Sequence, residues 1–167
     1  MSKLNNIQNK ILSPEQLNTN LNIWRFLSKR IVFTNGCFDL LHLGHIDYLA
    51  KAADLGDKLV IGLNSDSSAS LSKGSGRPIM DQRSRSVMLA ALSFVDAVIL
   101  FDEQTPIELI KWIKPDVLVK GADYTVGQII GADIVLQNGG QVQTLEYLPG
   151  YSTTLIEQKI KSSIRPV

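Results

Sequence analysis

The chain has 167 residues, of which 44% are hydrophobic and 20% charged, and its net charge is +1. That length holds one real core, and that balance excludes a disordered polar chain, an acidic tail and a broadly basic nucleic-acid binder. The single cysteine, Cys37, excludes an intrachain disulfide, and neither a signal peptide nor an apolar run long enough for a membrane is visible, so a cytoplasmic protein is expected.

Residues 1–12 are polar and Asn-rich and are expected to form a flexible N-terminus, with a single domain over 13–167. Ser13-Pro14-Glu15-Gln16 reads as a helix start: a capping serine, proline at the first helical position and glutamine in the capping-box place. Leu17, Leu21, Trp24 and Leu27 continue it at helical spacing. From there strands and helices alternate. Strands are predicted at 31–34, 58–63, 97–101, 116–120 and 142–145. Helices are predicted after the first strand, then at 81–94, 105–113, 131–137 and 152–160. Asn64-Ser65-Asp66 reads as a turn and cap. Apolar strands joined by helical crossovers imply a doubly wound α/β domain around a parallel five-stranded sheet. Ligands of such folds sit beyond the carboxyl ends of the strands.

The most informative segment is 34–45, Thr-Asn-Gly-Cys-Phe-Asp-Leu-Leu-His-Leu-Gly-His, which carries both histidines of the chain, His42 and His45. It joins a strand to a helix start, where free N–H groups and the helix dipole suit a phosphate. Gly36 and Gly44 would let a ligand approach the backbone. Imidazole donates hydrogen bonds to phosphate oxygens and, as imidazolium, adds charge. A capping and a buried histidine would be the plainer explanation of an arbitrary pair; the junction and the glycines favour phosphate. Cys37, His42 and His45 do not have a common structural zinc spacing, and no serine sits in a nucleophile elbow, so neither a protein-bound metal nor a Ser-His-Asp hydrolase is expected.

Other basic or hydroxylated segments fall at the same sheet edge. Lys73-Gly74-Ser75-Gly76-Arg77-Pro78 reads equally as a solvated linker or as a loop carrying Lys73 over a polyphosphate. Arg83 and Arg85 oppose the dipole at the start of their helix, which suggests an anion or a neighbouring carboxylate. Lys120-Gly121-Ala122-Asp123-Tyr124 ends the fourth strand. Ser152, Thr153 and Thr154 open the last helix, where a simple cap would also explain a serine.

Together these segments resemble the nucleotidyltransferase superfamily with a His-x-Gly-His signature, here His42-Leu43-Gly44-His45. Thr34 to His42, Leu63-Asn64-Ser65-Asp66, Gly76-Arg77-Pro78, Val119 to Tyr124 and Pro149 to Thr154 are similar to the D-glycero-β-D-manno-heptose 1-phosphate adenylyltransferase family, over about residues 13–162. The resemblance implies a Rossmann-like fold and transfer of AMP from ATP to a heptose 1-phosphate, giving ADP-heptose and pyrophosphate for the lipopolysaccharide core. It also implies the stand-alone form of a domain often fused to a sugar kinase. His42, His45, Lys73 and Arg85 would act on the phosphates, and Ser152, Thr153 and Thr154 would grip the outer ones. Asn35, Gly36, Cys37, Phe38, Gly44, Lys120, Gly121 and Asp123 would line the nucleotide or sugar cleft. Asp39 would shape the turn or assist magnesium, which travels on the nucleotide.

Two departures stand out. Tyr147-Leu148-Pro149 replaces the arginine that glycerol 3-phosphate cytidylyltransferases carry there, and Ala122 stands where a glycine is expected. The alternatives are a cytidylyltransferase acting on another sugar or polyol phosphate and a nucleotide-binding module without turnover. Exposed sheet edges and apolar helix faces are compatible with a homodimer or higher homo-oligomer.

Overall fold

The computed structural model describes residues 2–74, 76–123 and 125–163; Ser75, Tyr124 and 164–167 of the expected domain and motifs lie outside them. The elements alternate as predicted: β1 (Ile31–Gly36), α3 (Leu43–Ala53), β2 (Lys58–Asn64), α5 (Gln82–Ala90), β3 (Ala97–Phe101), α6 (Ile107–Ile113), β4 (Val117–Gly121), α7 (Ala132–Gln137), β5 (Gln141–Leu145) and α8 (Thr153–Ser163). They follow α2 (Pro14–Phe26), whose Ser13–Gln16 capping box is formed. Leu17 and Leu21 of α2 are buried and Trp24 packs against the core, whereas Leu27 lies past the last turn and is exposed.

Two helices were not foreseen. Lys3–Gln8 form α1, capped by Ser2, and Ile11 bridges to Val98 at the edge of β3. The segment expected to be flexible therefore begins with a capped helix, and Leu12 behind it is buried. Asp66–Lys73 form α4, capped by Ser65. Its sequence, rich in serine, lacks the apolar stripe that marks a helix, yet Ser68 and Ala69 are buried. A single 3-10 turn spans Val126–Gln128.

The five strands are parallel and ordered β3-β2-β1-β4-β5. One core lies between the sheet and α2, α6 and α7, with Phe33, Leu17, Ile110 and Val135 in it. The other, on the opposite face, holds Leu49, Leu63, Leu89 and Val98 under α3 and α5. Strand order reverses direction between β1 and β4, the place where such sheets open a crevice. Here the opening has a measurable origin. β1 stays paired with β2 through Gly36 and Leu63, but its pairing with β4 stops at Phe33 and Leu118. Beyond that point the strands part, and Lys120 Nζ reaches across to donate to the main-chain oxygen of Asn35 at 3.0 Å.

Candidate active site

After Gly36 the chain must leave β1 and begin α3 within six residues, 37–42. Phe38 and Leu40 accomplish this with left-handed backbones, φ of 46° and 50°. For residues with side chains that conformation costs on the order of 1–3 kcal/mol each, so something must hold it. Asp39, between them, does. Its carboxylate is 6% exposed. Oδ1 accepts from Met80 N at 3.0 Å; Oδ2 accepts from Ile79 N at 2.8 Å and from Arg77 Nη1 at 3.1 Å. Burial alone would raise the Asp39 carboxyl, but the two backbone donors and the Arg77 guanidinium hold it below its usual range. The Asp39 main-chain oxygen accepts from Thr153 Oγ1 at 3.1 Å, and Arg77 also pairs with Glu157 of α8. With both oxygens taken by protein donors, Asp39 shapes the turn and is not placed to assist magnesium.

His42 caps α3: its Nδ1 accepts from His45 N at 3.4 Å. The two imidazoles stack, with centroids 3.8 Å apart and planes 19° apart, and the edge of Phe38 meets His45 at 5.5 Å. A β-carbon on Gly44 would come within 3.1 Å of the His42 ring and of Tyr151, so any side chain here would press on the histidine stack and on the segment before α8. Burial pushes His45 down to about 4, with His42 and Lys73 adding to the effect and Asp39 opposing it. Burial lowers His42 as well. At neutral pH the pair is therefore neutral, and what it offers an anion is N–H donors, not imidazolium charge. Fixed positive charge comes from elsewhere. Lys73, the last residue of α4, stands at the cavity rim, followed by Gly74 and Gly76 in left-handed conformations. Lys120 lines the cavity too; burial lowers it to about 8, against a small opposing influence of Cys37.

The cavity, about 460 Å³, lies over the parting of β1 and β4. Of the predicted site residues it brings together Asn35, Gly36, Cys37, Phe38, His45, Lys73, Lys120 and Gly121. His42 and Gly44 stand beside it through the ring stack. Ser152 Oγ accepts from Leu155 N as the cap of α8, and Thr153 is tied to the signature turn, so this helix start adjoins the histidines. Thr154 and Asp123 are exposed and outside the cavity wall.

Arg85 is corrected. It was expected to meet phosphate, but it is 1% exposed and wholly engaged. Nε donates to Met80 O at 2.9 Å, Nη1 to Cys37 O at 2.7 Å and Asn64 O at 2.9 Å, and Nη2 pairs with Asp66 at 2.7 Å. It staples the ends of β1 and β2 to α4 and α5. A cation at a helix start has a carboxylate partner here, the alternative left open by the sequence.

Sequence reasoning also missed cavity residues. Gln104 and Tyr147 follow β3 and β5, where the strand-end rule points. Gln128 sits on the unforeseen 3-10 turn, and Tyr48 is buried on α3 with its hydroxyl 2.8 Å from Thr34 Oγ1. The Tyr147 phenol lies over Gly121, so a β-carbon there would require the phenol to move aside.

The family description "Cytidylyltransferase-like" matches residues 33–159, from within β1 to within α8. The chain belongs to the cytidylyltransferase-like family. It is 50% identical over 153 residues to the bifunctional protein HldE of Methylobacillus flagellatus, covering 92% of this chain and 31% of that protein. The corresponding protein of Campylobacter jejuni subsp. doylei is 51% identical over 154 residues, covering 92% and 32%. The chain thus spans about a third of the length of these curated relatives. Among solved structures it is similar to the lipopolysaccharide core biosynthesis protein of Thermoplasma volcanium, with a TM-score of 0.58 and 32% identity over 72% of this chain and 97% of that one. The pantoate-beta-alanine ligase of Francisella tularensis shares the fold, at a TM-score of 0.57 and 16% identity over 88% and 74%. The parallel sheet and signature turn are therefore those of a nucleotidyltransferase-like fold.

Three outcomes follow from these contacts. Arg85→Ala should cost about 3–5 kcal/mol, because it strands buried carbonyls and a carboxylate, and should lower the melting temperature by on the order of 10 °C. Asp39→Ala removes the partner of the Ile79 and Met80 N–H groups and one of the two partners of Arg77, and releases the strained turn; chemical denaturation should show a loss of about 2–3 kcal/mol. For His45, the unfolded chain takes up a proton below its ordinary value of 6.5 that the folded chain refuses until about 4. Stability therefore falls as pH drops through that window. Melting curves of His45→Gln should show a flatter dependence between pH 6.5 and 4 than the parent.

Proposed function

We propose that the chain transfers AMP from ATP to D-glycero-β-D-manno-heptose 1-phosphate, forming ADP-heptose and pyrophosphate for the lipopolysaccharide core. The observation that carries this reading is the stacked His42–His45 pair at the start of α3, opening on a cavity at the sheet's switch point beside Lys73 and the start of α8. The substrate assignment is supported by the half-identical match to HldE proteins and by the likeness to a lipopolysaccharide core biosynthesis protein.

In this reaction a sugar-phosphate oxygen attacks the α-phosphorus in line and the pyrophosphate leaves. The attacking phosphate is nucleophilic at neutral pH, so the protein needs no strong base. Its tasks are to align the reactants and to stabilise charge on the reacting phosphorus. Neutral imidazole N–H groups suit this: they donate to oxygens whose charge grows in the transition state and require no proton to be taken up first. Lys73 would meet the outer phosphates from the rim, and Gly74 and Gly76 give its loop room to close. The start of α8, beside the signature turn, would offer helix-start N–H groups to the leaving group, with Ser152 as its cap and the Thr153 hydroxyl anchoring it to Asp39. Magnesium would arrive with the nucleotide phosphates. Among the described residues no helix is long and apolar enough to cross a membrane.

The test is pyrophosphate release with ATP or CTP against heptose 1-phosphate, other sugar 1-phosphates and polyol phosphates. ATP with heptose 1-phosphate should give the highest kcat/KM; a preference for CTP would return the cytidylyltransferase alternative. His45→Ala should lower kcat by roughly 10²–10³ with the fold intact, as read by circular dichroism at neutral pH. Near-parental turnover in that variant would remove the histidines from the chemistry.

A further inference from the structure

Among the described residues, two buried side-chain atoms have no hydrogen-bond partner: Asn35 Oδ1 and His45 Nδ1. Both residues line the cavity over the parting of β1 and β4. A buried polar atom without a partner is costly, and its persistence at a cavity wall calls for a ligand atom to meet it. The two atoms ask for different partners. An imidazole can donate to phosphate. A carboxamide oxygen only accepts, and phosphate oxygens at neutral pH also accept, so a phosphate group would leave Asn35 Oδ1 unmet or repelled. Nor does the protein supply the missing donor: Lys120 Nζ, which lines the same cavity, donates to the main-chain oxygen of Asn35, at 3.0 Å.

We propose that Asn35 is a specificity residue whose side-chain oxygen accepts a hydrogen bond from a substrate hydroxyl. The cavity is then polarised in chemical terms. Among its lining residues His45 and Lys73 offer donors for phosphate, and Asn35 would offer an acceptor for the polyol part attached to that phosphate. Gln104 lines the same cavity, as does Gln128, whose side-chain oxygen is already taken by Thr125 N and Oγ1. The inference rests on the nucleotidyltransfer reading for the identity of the two ligands, ATP and a sugar phosphate. The hydroxyl belongs either to the ribose of the nucleotide or to the acceptor sugar.

The test uses Asn35→Leu, close in shape and without the acceptor. Because the replaced atom has no partner in the free protein, the unliganded variant should melt at or above the parental temperature. Its ligand affinity should fall by roughly twofold to tenfold, the worth of one neutral hydrogen bond. Calorimetry with ATP, 2′-deoxy-ATP and 3′-deoxy-ATP reads the nucleotide arm. If the ribose supplies the donor, ATP binding weakens and the corresponding deoxy nucleotide binds parent and variant alike. If the acceptor supplies it, ATP binding is unchanged and KM for the sugar phosphate rises. Unchanged values in both arms would overturn the proposal, as would a markedly lower melting temperature of the free variant, which would make Asn35 architectural. Absence of turnover by the parental protein with heptose 1-phosphate would sink the substrate assignment alone. The acceptor arm then runs with whichever phosphate monoester of the panel supports turnover.

Discussion

The site depends on one buried carboxylate. Asp39 stands between two residues in left-handed conformations and gathers donors from Ile79, Met80 and Arg77, while its main-chain oxygen takes the Thr153 hydroxyl. The turn that presents the histidines, the segment after the glycine-rich loop and the start of α8 are therefore fixed to one point. None of them would hold this arrangement alone. The turn is strained, and α8 has no buried residue among those described. Arg85 does the complementary work from beneath, binding the carbonyls of Cys37, Asn64 and Met80. The two charged groups that look most catalytic by type are thus consumed in building the turn, and the groups left facing the cavity are mostly neutral donors and acceptors.

That division has an electrostatic logic. A cationic histidine pair stacked at 3.8 Å would repel itself and would lose solvation in a half-buried site. Keeping both rings neutral avoids that cost and still leaves hydrogen-bond donors. Positive charge is supplied from the rim and the far wall by Lys73 and Lys120, where it need not be packed against a like charge.

Much of this was legible in the sequence. The alternation of apolar strands and amphipathic helices predicts the sheet, and each predicted strand falls within two residues of the observed one. The segment at 34–45 and the strand-end rule predict where the cavity lies. What escaped follows from the same physics. α4 is serine-rich and held by caps and by Asn64–Ser68 hydrogen bonding, so periodicity does not reveal it. A cation at a helix start implies an anion but not which one; only the tertiary arrangement brings three carbonyls and Asp66 around Arg85. The unmet acceptor of Asn35 is a property of packing, and no residue pattern announces it. Tyr147 stands out in the sequence only by replacing an arginine, and its phenol lies over Gly121.

The early end of the β1–β4 ladder has an evolutionary meaning. Because the sheet unzips at Phe33 and Leu118, the half that carries the signature turn and the half made by β4 and β5 share few backbone bonds near the ligand. Each half can then drift on its own. Changes at Tyr147, which lines the cavity from beyond β5, would reshape the cavity without touching the contacts of Asp39. A single scaffold can in this way serve many acceptors while its chemistry stays the same.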